Sequence, residues 1–320
     1  MSHYLVTGGA GFIGSHLSEE LVGRGHRVRA FDNLSTGKRK NLEHIPGVEL
    51  LIGDLANLED CRRAVRGVDY VLHMGAVASV PRSVVDPIAS NTANIDGSLN
   101  ILVAARDEKV RRLVYAGSSS AYGDLPTLPK HEDMPTKPQS PYALQKLVAE
   151  QYCQMFTQLY GLETVTIRYF NVFGPRQDPS SPYSGVISLF STALLEGRRP
   201  TIFGDGGQTR DFTYVANVVD GVLRACEAPN VAGEVINVAT GGRISLNQLL
   251  QAINEIVGTS IEPIYEEARA GDVRDSQADI SRAASLLGYA PLVTFEEGLR
   301  RTLEWCRTDA AAATAATATR

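Results

Sequence analysis

The chain has 320 residues and a formal net charge of −5, enough length to bury a large core and no excess of positive charge to suggest nucleic acid or an anionic membrane as a partner. No apolar run approaches the length of a membrane span, and Met1 leads almost directly into a strand, so neither a transmembrane segment nor a signal peptide is expected. Cys61, Cys153, Cys226 and Cys306 are scattered without ligand-like spacing, which predicts free thiols in a reduced, cytoplasmic setting and no metal site.

In chain order, Tyr4-Leu5-Val6 reads as a short buried strand that runs into Thr7-Gly8-Gly9-Ala10-Gly11-Phe12-Ile13-Gly14, with a helix to about Leu21. Gly8 permits a tight turn, Gly11 lets backbone approach a pyrophosphate, and Gly14 allows close packing of helix on strand. The free N–H groups at the helix start suit phosphate oxygens. A second strand, His26 to Phe31, ends at Asp32, about 20 residues beyond Gly11, where an acceptor for a ribose 2′-hydroxyl is expected. A carboxylate there repels a 2′-phosphate, which favours NAD over NADP, although Lys38 and Arg39 lie nearby. Val48 to Leu51 is a third strand. Asp54, just after it, suits an adenine contact or the cap of the next helix, and the two roles are compatible.

Val68 to His73 is the fourth strand, followed by Met74-Gly75-Ala76, small enough at two positions to line a cofactor groove. Asn94 falls on a helix that runs to about Arg106. Arg112 to Ala116 is a fifth strand, apolar enough for burial on both faces, and it leads into Ser118-Ser119-Ser120-Ala121-Tyr122-Gly123. A helix then carries Tyr142-Ala-Leu-Gln-Lys146. Tyrosine and lysine four apart share a helix face. A tyrosine phenol ionises near pH 10, and a neighbouring ammonium favours the phenolate, which makes such a tyrosine a usable base. Taken alone, the same spacing fits an ordinary surface helix. Strands alternating with helices predict an α/β fold with a Rossmann-type doubly wound parallel sheet, its ligands at the carboxyl ends of the strands.

A further strand, Glu163 to Arg168, precedes Tyr169-Phe170-Asn171. The periodicity then becomes mixed. The expected division is a dinucleotide-binding domain over 1–171, a smaller α+β lobe mainly over 172–308 with segments returning to the main sheet, and a low-complexity Ala/Thr tail over 309–320, read as frayed. Arg210, Arg269 and Arg274 sit in loop contexts that suit a diphosphate, or plain surface positions.

With Thr7-Gly8 to Gly14, Asp32-Asn33, the serine run, Tyr142-x-x-x-Lys146 and Arg168-Tyr169-Phe170-Asn171 in this order, the chain resembles the extended short-chain dehydrogenase/reductases. Among these it is similar to the nucleotide-sugar 4-epimerases acting on UDP-glucose and UDP-N-acetylglucosamine. Ser79-Val80-Pro81-Arg82-Ser83 and Arg176-Gln177-Asp178-Pro179 add to the likeness. The resemblance implies a catalytic set of Ser118, Tyr142 and Lys146. It implies NAD held by Gly8, Gly11, Phe12, Ile13, Gly14, Asp32, Asn33, Ser35, Thr36, Gly37, Asp54, Leu55, Met74, Gly75, Ala76, Asn94 and Tyr169, together with Tyr142 and Lys146. It places a UDP-sugar against Ala78, Ser79, Ser118, Ser119, Ser120, Asn171, Gly185, Val186, Thr201, Ile202, Phe203, Arg210, Arg269 and Asp272. It also implies a mechanism in which Tyr142 removes the C4 hydroxyl proton, hydride passes to NAD, and the 4-keto sugar turns before reduction from its other face. A homodimer through a four-helix bundle is implied too, with Leu147, Cys153 and Phe156 as bundle surface or as core.

Related activities on this scaffold need other groups. A 4,6-dehydratase requires an acid and a base beyond the tyrosine, and the two places where the family carries them are Ser119 and Ser120 here. Ser120 also argues against a uronate decarboxylase, for which the family usually carries glutamate. A UDP-glucuronate 4-epimerase stays open, as does a simple dehydrogenase that releases NADH. A non-catalytic NAD-sensing module would have no use for the Ser118–Tyr142–Lys146 set. The resemblance implies a sugar pocket walled by Ala78, Ser118, Tyr142, Asn171, Gly185 and Ser276, of which Ala78, Gly185 and Ser276 are small and would leave room for a 2-acetamido group.

Overall fold

The computed structural model describes residues 1–178, 185–268 and 273–318. Its centre is a parallel sheet built from β1 (His3–Thr7), β2 (Arg27–Asp32), β3 (Glu49–Ile52), β4 (Tyr70–His73), β5 (Arg112–Ser118), β6 (Glu163–Tyr169) and a late strand, Val235–Val238. From one edge the order is Val235–Val238, β6, β5, β4, β1, β2, β3, and every pairing in it is parallel. The direction of winding reverses between β1 and β4. The connections leaving the two strands diverge there and open a crevice at their carboxyl ends.

Alternation along the strands builds two cores, one on each face. Tyr4 and Val6 of β1 join one cluster with Leu17 and Leu21 of α1 (Phe12–Gly23) and with Val218 and Val222 of the helix Val215–Glu227. Leu5, between them, faces the other cluster, with Cys61 and Ala64 of α2 (Leu58–Val65). The short helices α3 (Val80–Val85) and α4 (Pro87–Asn91) follow β4, and α4 continues through a wide π turn, Thr92–Asp96, into α5 (Gly97–Asp107). The single helix expected around Asn94 therefore has a bulge at Asn94 itself. Ile101 and Leu102 of α5 pack in the second cluster with Ala149, Cys153 and Phe156 of α6 (Pro141–Tyr160). Cys153 and Phe156 are thus core, and Leu147 is buried as well; none of the three is free surface for a helix bundle. All four cysteines are free thiols.

α6 starts where Ser140 accepts a hydrogen bond from Ala143 N, with Pro141 in the first turn, and stops at Gly161, whose φ of +70° a side chain would disfavour. Beyond β6 the chain adds the helices Val186–Leu195, Leu246–Val257, Ser281–Leu287 and Phe295–Ala318 with short paired strands, while Val235–Val238 joins the main sheet beside β6 and Val215–Glu227 packs against that sheet. The last helix continues through the Ala/Thr stretch that the sequence reading left frayed, in keeping with the high helix propensity of alanine. Lys40 Nζ meets Asp309 Oδ1 at 3.0 Å and ties this helix to the loop after β2. Among the described residues, no helix is long and apolar enough to cross a membrane.

Candidate active site

The glycine turn is built by contact. Gly8 has a φ of +63°, and a Cβ on it would lie 2.8 Å from Gly75 Cα, so the turn after β1 rests directly on the turn after β4. A Cβ on Gly14 would come within 2.1 Å of the Gly8 carbonyl oxygen, which is the close helix–strand packing read from the spacing. Gly11 caps α1 without a side-chain hydrogen bond, so the first N–H groups of the helix, from Phe12 to Gly14, are available to an anion.

Asp32 ends β2 and is buried. Its carboxylate accepts from Ala10 N at 3.0 Å and from Leu34 N at 2.8 Å, and Gly37 is packed against it so closely that a Cβ there would sit 2.8 Å from both oxygens. Burial pushes the Asp32 carboxyl up and the two backbone donors hold it down. Asn33 Nδ2 donates to Asp54 Oδ2 at 3.1 Å, and Asn33 Oδ1 accepts from Ser35 N, which gathers the ends of β2 and β3 around one site. Asp54 is not the helix cap: Asn57 takes that position, accepting from Glu59 N and Asp60 N. Lys38 forms an ion pair with Asp178 at 2.7 Å. Leu55 packs against Gly75, and Tyr169 OH donates to Met74 Sδ at 3.4 Å, so the predicted cofactor residues of β3, β4 and β6 do converge. These groups fit a dinucleotide: a bare helix end for its phosphates, a carboxylate for a ribose, and glycine backbone where a side chain would fill the cradle.

Ser118, at the end of β5, lies near enough to the Tyr142 phenol to favour its ionised form. The Ser118 hydroxyl also meets Ser120 Oγ at 2.8 Å and accepts from Ser120 N at 3.2 Å. Tyr142 N donates to Ser83 Oγ at 3.0 Å, which fixes the start of α6 to α3. The effect expected of Lys146 on the phenol is not produced by the protein alone. Burial raises the Tyr142 pKa, and the nearby Ser118 hydroxyl opposes it. Lys146 Nζ instead donates to the Ala116 carbonyl at 2.9 Å and lies 5.0 Å from the centre of the Tyr115 ring. Burial lowers the Lys146 ammonium to about 8.

A buried polar chain missed by sequence reading lies beneath this pair. His73 bridges Thr7 Oγ1 at 2.7 Å and Ser98 Oγ at 3.0 Å, and Gly75 N donates to the same Thr7 oxygen. Asn94, on the π turn, accepts from Val77 N and donates to Val77 O and to Gln145 Oε1, and Gln145 in turn donates to Ser90 Oγ. Asn94 therefore anchors the loop that carries Ala76, Ala78 and Ser79 to the residue just before Lys146. Only the side chains' meeting in space reveals this.

The predicted substrate residues are divided. Asn171, with φ of +31°, stands at the crevice end of β6, and its carbonyl accepts from Thr213 N. Gly185 and Val186 begin the helix Val186–Leu195, with Gly185 beside Gln177. Thr201–Phe203 pairs with Ile264–Glu266 in a short parallel ladder apart from the main sheet. Arg210 Nη1 donates to the carbonyls of Thr209 and Arg274, both at 2.9 Å, and Arg274 pairs with Asp205. Arg269 and Asp272 lie outside the described residues. Asp211, next to Arg210, accepts from Thr240, Gly241 and Ala278 and ties its segment to the turn that follows Val235–Val238.

A reversed parallel sheet, with an open helix end on one side of the crevice and a hydroxyl pair on the other, defines a dinucleotide-dependent enzyme of the doubly wound class. Comparison with known proteins narrows this. The chain is 42% identical over 308 residues to UDP-glucose 4-epimerase of Mycolicibacterium smegmatis, covering 95% of this chain and 98% of that one. Its structure is similar to UDP-N-acetylglucosamine 4-epimerase from Methanobrevibacter ruminantium M1 in complex with UDP-N-acetylmuramic acid, with TM-score 0.92, 39% identity and coverage of 96% and 99%. It is also similar to a variant of UDP-glucuronic acid 4-epimerase from Bacillus cereus in complex with NAD and UDP-4-deoxy-4-fluoroglucuronic acid, with TM-score 0.89, 32% identity and coverage of 96% and 99%. Residues 4–239 match the NAD dependent epimerase/dehydratase family, and the chain belongs to that family. It is an epimerase that uses NAD.

Proposed function

We propose that the protein interconverts the C4 epimers of a UDP-hexose, UDP-glucose with UDP-galactose and also their 2-acetamido counterparts. The observation that carries this reading is the nearness of the Ser118 hydroxyl, at the carboxyl end of β5, to the Tyr142 phenol, next to Ser119 and Ser120, where an eliminating enzyme needs ionisable groups. When bound, NAD supplies a hydride acceptor and a positive charge beside the phenol. Tyr142 takes the proton of the sugar's C4 hydroxyl and later returns it, and Ser118 holds that hydroxyl oxygen in line. Lys146, together with the charge that NAD brings, favours the Tyr142 phenolate. Gly8, Gly11 and the N–H groups of Phe12, Ile13 and Gly14 hold the pyrophosphate, while Asp32, Asn33, Ser35, Thr36 and Gly37 hold a ribose. Asp54 and Leu55 flank the adenine, and Met74, Gly75, Ala76 and Tyr169 line the nicotinamide end.

The sugar must turn over between proton removal and return, so affinity belongs on the nucleotide. Asn171, Val186, Thr201, Ile202, Phe203 and Arg210 supply it, and Ala78, Gly185 and the buried Ser276 leave the sugar space. The same reading includes a homodimer across α5 and α6. It is supported by Leu144, Met155 and Leu159, which are 51%, 47% and 65% exposed along one side of α6. A cytoplasmic setting is supported by the four free thiols.

The test is to incubate purified protein with UDP-glucose, UDP-N-acetylglucosamine and UDP-glucuronate in parallel and resolve the products by NMR. C4 epimers of the first two, without net NADH, are expected. Accumulating NADH would replace the reading with a dehydrogenase, and turnover of UDP-glucuronate alone would move it to a uronate epimerase.

A further inference from the structure

Arg168 lies on β6, is 3% exposed, and forks onto Glu150 of α6 with Nε to Oε2 at 2.9 Å and Nη2 to Oε1 at 2.6 Å. Glu150 is one helical turn beyond Lys146 and two beyond Tyr142, on the same face. The guanidinium also lies 4.6 Å from the centre of the Tyr122 ring. Tyr122 closes the short turn Ser119–Tyr122 that follows Ser118, and its hydroxyl donates to Asn237 Oδ1 of the strand Val235–Val238 at 2.8 Å. One side chain thus touches the helix carrying Tyr142, the turn leaving Ser118, and, through its own backbone, the strand leading to Asn171.

Stability alone does not explain this arrangement. Among the described residues Arg168 Nη1 is buried without a hydrogen-bond partner, beside a polar cleft of about 420 Å³ lined by residues that include Glu132, Gln151 and Arg282. Burying an ion pair costs desolvation that apolar side chains of similar volume avoid. What the fork supplies is a fixed distance and rotation between two elements. We propose that Arg168 and Glu150 are positioning residues, which set α6 against the Ser118 turn so that the two hydroxyls meet; this role rests on the reaction proposed above.

The experiment replaces the pair by an apolar one, Arg168→Met/Glu150→Leu, because either change alone leaves an unpaired buried charge. Arg168→Lys keeps the charge and loses the fork. Three quantities are read on NAD-bound protein: the thermal midpoint, kcat and KM for the UDP-sugar, and the pH at which Tyr142 ionises. The last is taken from phenolate absorbance against the matching Tyr142→Phe protein. The double variant is expected to melt at or above the wild-type temperature, to lose roughly 10- to 100-fold in kcat at unchanged KM, and to ionise Tyr142 at higher pH; Arg168→Lys is expected to shift the ionisation in the same direction. Wild-type kcat and wild-type ionisation in the double variant would overturn the proposal. Should that variant fail to fold, unshifted ionisation in Arg168→Lys overturns it equally. A wild type that epimerises no UDP-sugar while the ionisation still shifts would remove the reaction and leave the positioning role standing.

Discussion

Thr7 Oγ1 and His73 Nδ1 meet at 2.7 Å across the neighbouring strands β1 and β4. The surroundings fix the direction of that bond. Ser98 gives its one hydroxyl proton to the Asn94 carbonyl at 2.6 Å, so His73 Nε2 must donate to Ser98, and Nδ1 must accept from Thr7. Thr7 keeps a lone pair for Gly75 N. The ring is neutral in this chain, and a second proton on it would face another donor.

Acid should therefore loosen the fold through imidazoles. Burial, reinforced by Lys146, holds His73 down to about 3, and burial with Arg176 holds His16 down to about 4, against an ordinary 6.5. Below about pH 6.5 the unfolded chain takes up protons that the folded one refuses, so this stability is complete above that pH and drains away as pH falls toward the folded values. Urea midpoints followed by circular dichroism should drop from pH 6.5 to 4. His73→Gln should lower the midpoint at neutral pH and flatten the slope; an unchanged slope would show that His73 does not contribute.

Tyr142→Phe and Ser118→Ala should each cut epimerisation by about 10²- to 10⁴-fold, the usual share of a positioned acid–base group. Affinity for NAD, measured by calorimetry, should change little. Near-wild-type turnover in Tyr142→Phe would remove this residue from the chemistry.

The glycines should separate by contact distance. Gly14→Ala puts a methyl 2.1 Å from a backbone oxygen and should cost about 1–3 kcal/mol of stability or more. Gly11→Ala meets the same oxygen at 3.1 Å; it should melt near the wild type yet bind NAD weakly. Equal melting of the two variants would refute the packing role of Gly14.

Leu159→Arg with Met155→Arg places two charges on the exposed side of α6 and should give a monomer by light scattering, with the thermal midpoint little changed. A wild-type protein already monomeric at assay concentration would dispose of the dimer.

Local signals carried much of the reading. Gly8, Asp32 and Tyr142 each sit where strand ends, spacing and helical period put them, because those rules act over a few residues. Asn57 displaced Asp54 as the cap because cap choice depends on where the helix turns up, which a single residue type does not fix. His73, Gln145, Arg168 and Asp211 were silent for a different reason: their partners are brought alongside by strand order, not by proximity in the chain. The π turn at Asn94 has no local composition signal. The same applies to Lys146, whose preference for the Ala116 carbonyl and the Tyr115 ring depends on how α6 lies over β5.

The outer neighbour of β6 comes late in synthesis. Among the described residues, Thr166 to Tyr169 are paired on that side by Val235 to Val238, so a ribosome that has released the first six strands has made a sheet with a bare rim. Until Val238 emerges, that rim can recruit another nascent chain as readily as its own strand, and a chaperone covering it would serve a purpose.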